Sequence, residues 1–422
     1  MKNSNIQWIG AIPDSWQLNK IGQLFNLRNE KVSDKDFAPL SVSRDGVVPQ
    51  MESVAKSDAS DDRKLVLIGD FAINSRSDRK QSCGVSPLNG SVSLINLILY
   101  AKDSNVIYND YMNYLLKNYG FAEEFYKWGH GIVADLWTTR WQEMKNIMLP
   151  LPSLEMQKKI FDFLNKKILE VNNLIEIENK QIEKLQEYKQ AVITEAVTKG
   201  LDKSAPMKDS GVEWIGEIPE NWSVKKAKFI ADSFEKGSGI TKEDIVTDGD
   251  TPCVRYGEIY TKYNNGFSKC VTRTHLENVS TPVYFEFGDI LFVGTGELVE
   301  EIGKNIVYLG TEKCLAGGDI IIMKHNQEAR FLNYAMNCIR SQMQKSYGKA
   351  KLKVVHISAY NIGNIYIALP NKVVQTEIAD YLDKKCSEID ALAKIKQKKI
   401  DMLNEYKKSL IYEYVTGKKE VV

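Results

Sequence analysis

The sequence predicts an α+β fold: two mixed α/β domains in a pseudo-twofold repeat, separated by two long antiparallel coiled-coil helices. Three observations support this prediction. A nine-residue phrase occurs twice, as "WIGAIPDSW" from Trp8 and as "WIGEIPENW" from Trp214. A long segment with helical periodicity ends each half, and short β-branched runs with turn residues lie between phrase and helix. Internal repetition of this kind indicates that the chain builds one architecture twice.

The composition is that of a globular protein. Of 422 residues, 43% are hydrophobic and 26% are charged, which is enough chain for two to four domains. The formal net charge of +1 excludes a uniformly basic surface but allows a local basic patch. No membrane span or signal-peptide pattern is present, so we expect a cytoplasmic protein without a membrane partner. Six singly placed cysteines argue against a zinc site or a disulfide framework.

The first domain is predicted over residues 1–152, with the repeated phrase at its start. Its strands are expected in "RKLVLIGDFAIN" (63–74) and "CGVSPLNGSVSLINLILY" (83–100), where β-branched runs end in turn signals. One helix is expected over 108–128, and it leads into the glycine loop "GHGIVADL". This order of strands and helix predicts a mixed α/β domain.

Two long helices are predicted over 153–200 and 371–418. Ser153 and Asn371 follow prolines at matching positions, where an N-cap is expected, and each helix would span about 45 residues, or roughly 65 to 70 Å. Apolar residues recur at spacings of four and three, which is typical of a coiled-coil seam. The seam residues are Leu164, Ile168, Val171, Ile175, Ile182, Leu185, Val192 and Ala196, then Leu382, Cys386, Ile389, Ala393, Ile400, Leu403 and Leu410.

Matching seams favour antiparallel pairing of the two helices with each other. Polar residues interrupt the seams at matching positions, Glu178 and Lys189 in the first helix and Lys396 and Lys407 in the second. The alternative is that each helix packs independently on a separate core.

A polar connection over residues 201–212 leads to the second domain, predicted over 213–370. Strands are expected in "FGDILFVGTGE" (287–297) and "LAGGDIIIMK" (315–324), and a helix over 327–347 precedes the glycine loop "GKAKLKVV". The two domains share an order of elements but differ in their surface residues. We therefore expect two related modules that recognise two different targets.

The central region, "TEAVTKGLDKSAPMKDSGVEWIGEIPENWSVKKAKF" (194–229), resembles specificity subunits of Type I restriction–modification systems. The resemblance extends over the full chain, through both phrases, both helices, "GVSPLNGSVS" and "CVRYGEIYTKY". It implies that two target-recognition domains each bind one half of a bipartite, asymmetric site in double-stranded DNA. It also implies that the helices dock two methyltransferase subunits, through which restriction subunits join. S-adenosylmethionine, ATP and Mg²⁺ are then expected on those partners and no cofactor on this chain.

The sequence lacks the marks of a catalytic site. Residues 294–305 contain glycines and a lysine but not the spacing of a P-loop, and the Asn-Pro-Pro-aromatic tetrad of adenine methyltransferases is missing. We therefore expect a non-catalytic specificity subunit. The alternative is a stand-alone coiled-coil adapter or regulatory binding protein that does not act on DNA.

Binding to DNA requires local positive charge rather than a basic chain. Arginine suits base edges and lysine suits phosphates, and residues 341–353 hold Lys345, Lys349, Lys351 and Lys353 without an acidic residue. The tryptophans of the repeated phrases occur in both halves, so we expect them to be structural, since shared residues cannot carry different specificities. The candidate DNA-binding residues are Arg44, Arg76, Arg79, Lys80, His130, Arg255, Tyr256, Lys304, Lys349 and Lys351.

Overall fold

The computed structural model describes residues 1–50, 62–76, 79–131, 137–296, 298–348 and 355–421. The chain forms two compact units. Unit 1 comprises Met1–Asn179 and Gln397–Val422, and unit 2 comprises Lys180–Lys396. Unit 1 is therefore assembled from two separate stretches of chain, whereas unit 2 is continuous.

Unit 1 contains short strands and short helices before the first long helix. Its strands are β1 (Lys2–Asn3), β2 (Ala11–Ile12), β3 (Gln17–Lys20), β4 (Phe25–Arg28), β5 (Lys31–Val32), β6 (Leu40–Ser43), β7 (Gly46–Pro49), β8 (Arg63–Val66), β9 (Phe71–Asn74), β10 (Cys83–Val85), β11 (Gly90–Val92), β12 (Asn96–Ala101) and β13 (Met148–Leu151). Its helices are α1 (Ile21–Leu24), α2 (Asn109–Leu115), α3 (Tyr119–Lys127), α4 (Trp141–Met144) and the first part of α5 (Leu154–Lys199).

The described elements of unit 2 follow a similar overall order, with more strands and with helix α6 among them. Its strands are β14 (Met207–Asp209), β15 (Glu217–Pro219), β16 (Ser223–Lys226), β17 (Ala231–Lys236), β18 (Thr251–Val254), β19 (Gly266–Phe267), β20 (Thr272–Thr274), β21 (Tyr284–Phe285), β22 (Ile290–Val293), β23 (Thr295–Gly296), β24 (Asn305–Tyr308), β25 (Cys314–Ala316), β26 (Ile320–His325), β27 (Val355–His356) and β28 (Tyr366–Leu369). Its helices are α6 (Tyr256–Thr261), α7 (Ala329–Asn337), α8 (Ile339–Ser346), α9 (Ala359–Gly363) and the first part of α10 (Lys372–Val415).

The central sheets of the two units share one strand order. In unit 1 the order is β10-β9-β12-β4, and in unit 2 it is β24-β22-β26-β17 with β19 added beside β24. A second, smaller sheet lies in each unit, β11-β8-β5 in the first and β20-β18-β25-β21 in the second. The predicted fold class of two mixed α/β domains with long antiparallel helices is therefore confirmed.

The single helices predicted over 108–128 and 327–347 are each two helices. Between α2 and α3, Asn118 has an extended backbone, and its side chain accepts a 3.0 Å hydrogen bond from the Phe121 N–H. Cys338 is extended in the same way between α7 and α8. The apolar periodicity continues across both breaks, so the periodicity alone did not reveal them. Asn118, a favoured N-cap residue, was the available signal.

The long helices have 46 and 44 residues, close to the predicted length. Within unit 1, Lys407 of α10 donates a 3.1 Å hydrogen bond to Asn172 of α5. Within unit 2, Lys189 of α5 lies 2.7 Å from Asp390 of α10. The early part of each helix thus lies beside the late part of the other, which is an antiparallel arrangement. The alternative of two independent helices is wrong.

The repeated phrase belongs to the cores of the units. Trp8 and Trp16 in unit 1, and Trp222 in unit 2, are at most 7% exposed. Trp214 is half-buried, with its ring edge-on to Tyr347 at a centroid distance of 5.3 Å. These tryptophans pack in the way expected of structural residues. In the part of the chain that the structure describes, no helix combines the length and apolar character needed to cross a membrane.

Candidate nucleic-acid interface

A short ladder of backbone bonds brings two candidates of unit 1 together. Thr138 forms antiparallel bridges with both Arg76 and His130. The backbone N–H groups of His130 and Thr138 each donate a 3.0 Å bond to the other's carbonyl oxygen. The Arg76 side chain is exposed, and that of His130 is 72% exposed. The ladder therefore presents a cation and an imidazole to solvent from adjacent segments.

The charges beside this ladder differ in how far they are neutralised. The Lys80 ammonium lies 3.0 Å from the Glu123 carboxylate, which makes Lys80 a weaker phosphate contact than its charge suggests. His130 lies 4.0 Å from a carboxylate oxygen of Glu143. The other oxygen of Glu143 accepts a 3.1 Å bond from the backbone N–H of Arg140, the exposed N-cap residue of α4.

The remaining candidates of unit 1 are exposed on turns. Arg44 lies at the turn of the β6–β7 hairpin, where Gly46 has a φ of +113°. Arg79 lies shortly after Arg76 and is exposed. The structure therefore gathers Arg76, Arg79 and His130 on exposed segments, and Arg44 stands on a separate hairpin.

Unit 2 contains a matching ladder with different side chains. Thr295 in β23 pairs with His356 in β27, and the Thr295 hydroxyl lies 3.1 Å from Nδ1 of His356. His356 matches Thr138 in the internal repeat, because both lie the same distance before the long helix of their half. Two structurally equivalent positions thus carry Arg76 and Thr138 in unit 1 and Thr295 and His356 in unit 2.

Helix α6 collects the candidates of unit 2. Arg255 is its N-cap, and the Arg255 guanidinium lies 3.7 Å from Glu258. Its Nε atom is buried without a hydrogen-bond partner among the described residues. Tyr256 is 44% exposed, and Lys304 places its ammonium 5.2 Å from the ring centre of Tyr260. Arg255, Tyr256 and Lys304 therefore surround one short helix.

The lysine-rich stretch is only partly described. Lys349 and Lys351, together with Lys353, lie outside the described residues. Lys345 is 2% exposed, and its ammonium donates to the carbonyl oxygen of Gly303 at 2.7 Å and to the Asn305 side chain at 2.9 Å. Burial lowers the pKa of Lys345 to about 7. The expectation that Lys345 is a surface charge was wrong, because α8 turns this position toward β24.

Sequence reasoning missed Thr138, Arg140, Thr295 and His356. Threonine carries no charge, and neither Arg140 nor His356 lies in a cluster of basic residues that would distinguish it. The available signal was positional, since Thr138 and His356 match when the two halves are aligned from their long helices. Among the residues with described positions, no group of three or more His, Cys, Asp or Glu could hold a metal ion.

Residues 219–405 match the family model described as the Type I restriction modification DNA specificity domain. Over 97% of its length the chain is similar, at 25% identity, to the provisionally assigned type I restriction enzyme MjaX specificity subunit of Methanocaldococcus jannaschii, of which 95% is covered.

Two solved structures have a similar fold. One is a chain from work on the structural basis of complex assembly and conformational transition of the type I R-M system. Its TM-score is 0.71 and its identity 14%, and the match covers 96% of this chain and 98% of that chain. The other is the HsdS subunit from Thermoanaerobacter tengcongensis, with a TM-score of 0.52, 15% identity, and coverage of 99% and 100%.

The family match, the full-length relative and the repeated fold together point to one class, the DNA-specificity subunits of Type I restriction–modification systems. Along nearly its whole length the chain is similar to such a specificity (S) subunit, and residues 219–405 match the DNA specificity domain of that family.

Proposed function

We propose that each unit reads one half of a bipartite, asymmetric site in double-stranded DNA. The observation that carries this proposal is the pair of matching ladders with different side chains. Arginine at position 76 can contact guanine with two hydrogen bonds, whereas Thr295 and His356 offer shorter and differently placed polar groups. Equivalent frames with different side chains are what two different half-sites require.

The two long helices are the docking surface for two methyltransferase subunits in this proposal, and restriction subunits join through them. Exposed apolar side chains recur at matching positions on the two helices, and apolar groups exposed in this way are typical of protein interfaces. These positions are Leu174 with Leu392, Ile177 with Ile395, and Tyr188 with Tyr406, each between 43% and 63% exposed. A surface that occurs twice suits two copies of one partner.

The catalytic chemistry of the complex then resides on the partners. S-adenosylmethionine binds on the methyltransferase subunits, and ATP and Mg²⁺ serve the restriction subunits. The chain acts in the cytoplasm, where the genomic DNA of a bacterial or archaeal cell is found. We therefore expect no methyl transfer by the purified chain with S-adenosylmethionine alone.

A domain exchange tests the reading function. Residues 17–150 are replaced by the corresponding segment of another specificity subunit, and the host DNA is mapped by methylation-sensitive sequencing. One half of the methylated site should change and the other half should remain. A change in both halves would contradict independent reading, and an unmethylated genome with the parent chain would favour an adapter that does not act on DNA.

Docking is tested on the helices. Ile177→Asp and Ile395→Asp should each weaken co-purification with the methyltransferase subunit. Phe287→Asp is the matched control, because Phe287 is 66% exposed but lies on a turn outside both helices. If the helix variants assemble as well as the control, the docking surface lies elsewhere.

A further inference from the structure

Glycine and lysine exchange places between two matching positions of the units. In unit 1, Gly22 in α1 faces Lys145, which follows α4, and the Gly22 N–H donates a 2.9 Å bond to the Lys145 carbonyl oxygen. In unit 2 the matching positions are Lys228 and Gly363, where the residue types are reversed. Each unit thus has one glycine and one lysine at this contact, contributed by opposite segments.

Close approach of the backbones explains the glycine. A Cβ atom on Gly22 would lie 3.0 Å from Cβ of Lys145 and 3.2 Å from its carbonyl oxygen. A Cβ atom on Gly363 would lie 3.2 Å from Cβ of Lys228. Such distances leave room for one side chain at the contact and not for two. Packing alone would accept alanine or serine beside the glycine, so packing does not explain why the other residue is lysine both times.

A second lysine accompanies the first in each unit. Lys20 and Lys226 end the matching strands β3 and β16. We call Lys20 with Lys145 in unit 1, and Lys226 with Lys228 in unit 2, the lysine corner. Lys20 donates to the Asn146 side chain at 3.4 Å, and Lys226 and Lys228 lie over the rings of Tyr366 and Phe229. Within the described residues none of the four forms an ion pair, so the corner keeps its positive charge.

The lysine corner flanks the short ladder of its unit. In unit 1, Thr138 of the ladder is followed by α4, one helical turn of about 6 Å, and then by Lys145. In unit 2, His356 is followed by α9, whose last residue, Gly363, contacts Lys228. The lysine corner, whose positive charge is the same in both units, is thus separated by one short helix from ladder side chains that differ between the units.

We propose that the lysine corner binds the phosphate backbone of DNA beside each half-site. Phosphates are the same at every sequence, so a contact to them can be identical in both units while the base contacts differ. Lysine serves as a point charge for phosphate and is depleted in protein–protein interfaces, which favours DNA over an acidic protein surface. This inference rests on the proposed reading of DNA by both units.

Salt dependence of binding tests the inference. The complex with methyltransferase subunits is titrated onto a cognate and a scrambled duplex over a range of NaCl concentrations. Removing one lysine–phosphate interaction should reduce the slope of log K against log salt by about 0.9. Lys145→Gln and Lys228→Gln should each show this reduction on both duplexes, with the preference for the cognate sequence retained. Lys203→Gln, which removes an exposed lysine of the connecting segment, is the control and should leave the slope unchanged.

An exchange variant provides a second test. Lys145→Gly combined with Gly22→Lys gives unit 1 the arrangement of unit 2, and it should recover the parent slope. An unchanged slope in the Gln variants overturns the inference, and an unchanged slope with poorer methyltransferase assembly assigns the corner to that partner instead. If the parent complex shows no preference for the cognate duplex, the proposed function fails rather than this inference.

Discussion

Glu178 of α5 lies 2.6 Å from the ammonium group of Lys399 of α10, and only 7% of the Glu178 side chain is exposed. Glu178 falls in the apolar seam of the long helices, where an isolated carboxylate would be costly to bury. The lysine extends along the helix surface with 56% of its side chain exposed. The pair therefore allows a charge in the seam and favours one register of the two helices.

Removing the lysine should reveal this role. Lys399→Ala leaves Glu178 in the seam without this ammonium, and we expect a loss of about 1–3 kcal/mol in the free energy of unfolding. Lys398→Ala, at an exposed neighbouring position, should change it by less than about 0.5 kcal/mol. Urea denaturation followed by circular dichroism measures both. Equal stabilities of the two variants would show that the ion pair contributes nothing.

Gln157 should be among the most sensitive polar positions of unit 1. It is fully buried, accepts a 2.9 Å bond from the Tyr108 N–H, and donates to the carbonyl oxygens of Val106 and Pro152. Gln157→Leu should cost about 1–3 kcal/mol for each group left unpaired, measured by urea denaturation. Gln142→Leu, at an exposed position of α4, is the control. Similar midpoints for both variants would contradict the prediction.

Unit 2 should lose stability in mild acid because of His325. Burial lowers the pKa of His325 to about 4, so the folded protein keeps the ring neutral while the unfolded chain takes up a proton near its ordinary value of 6.5. Stability should therefore fall as the pH decreases from about 6.5 to about 4. His325→Asn should flatten this dependence, whereas His130→Asn, at an exposed ring, should not. Parallel pH profiles of the parent and His325→Asn would exclude this residue as the cause.

The buried Lys345 should make the stability of the folded protein depend on pH above neutrality. Its pKa is lowered to about 7 by burial, from an ordinary value of 10.5, so above pH 7 the unfolded chain holds a proton that the folded protein has released. Stability should rise with pH between about 7 and 10.5. In Lys345→Met this rise should disappear, while Lys313→Met, with a side chain 72% exposed in the parent, keeps it. A rise that persists in Lys345→Met would mean that other groups cause it.

Arg76 and Arg255 should each affect the recognition of a different half-site. If Arg76 reads a base, Arg76→Ala should cost about 1–3 kcal/mol on the cognate site and relax discrimination in one half only. Arg255→Ala should do the same in the other half. Methylation of a duplex library randomised at each position measures both effects. A uniform loss at all sequences with a smaller salt slope would reassign the arginine to a phosphate.

The sequence was informative wherever a feature occurs twice. The repeated phrases and the matched seams predicted two α/β units and two antiparallel helices, because burial imposes the same periodicity on both copies. The breaks at Asn118 and Cys338 were missed because the apolar pattern runs through them. The candidate DNA-binding residues were harder to predict from the sequence than the fold. Charge made Arg76 and Arg255 candidates, and their role stays a prediction. Lys345 was misplaced, since charge does not show which way a helix faces.

The discontinuity of unit 1 also affects the order in which the two units can fold during synthesis. Domains usually fold in the order in which they leave the ribosome, from the N-terminus onward. Here unit 2 is complete once Lys396 has been made, whereas unit 1 must wait for Gln397–Val422. The Tyr412 hydroxyl in this second stretch donates a 2.7 Å hydrogen bond to the carbonyl oxygen of Trp8, which lies in the first copy of the repeated nine-residue segment. Unit 1, whose first segment precedes unit 2 in the chain, is thus completed after unit 2, and we expect a truncation after Lys396 to disrupt the folding of unit 1.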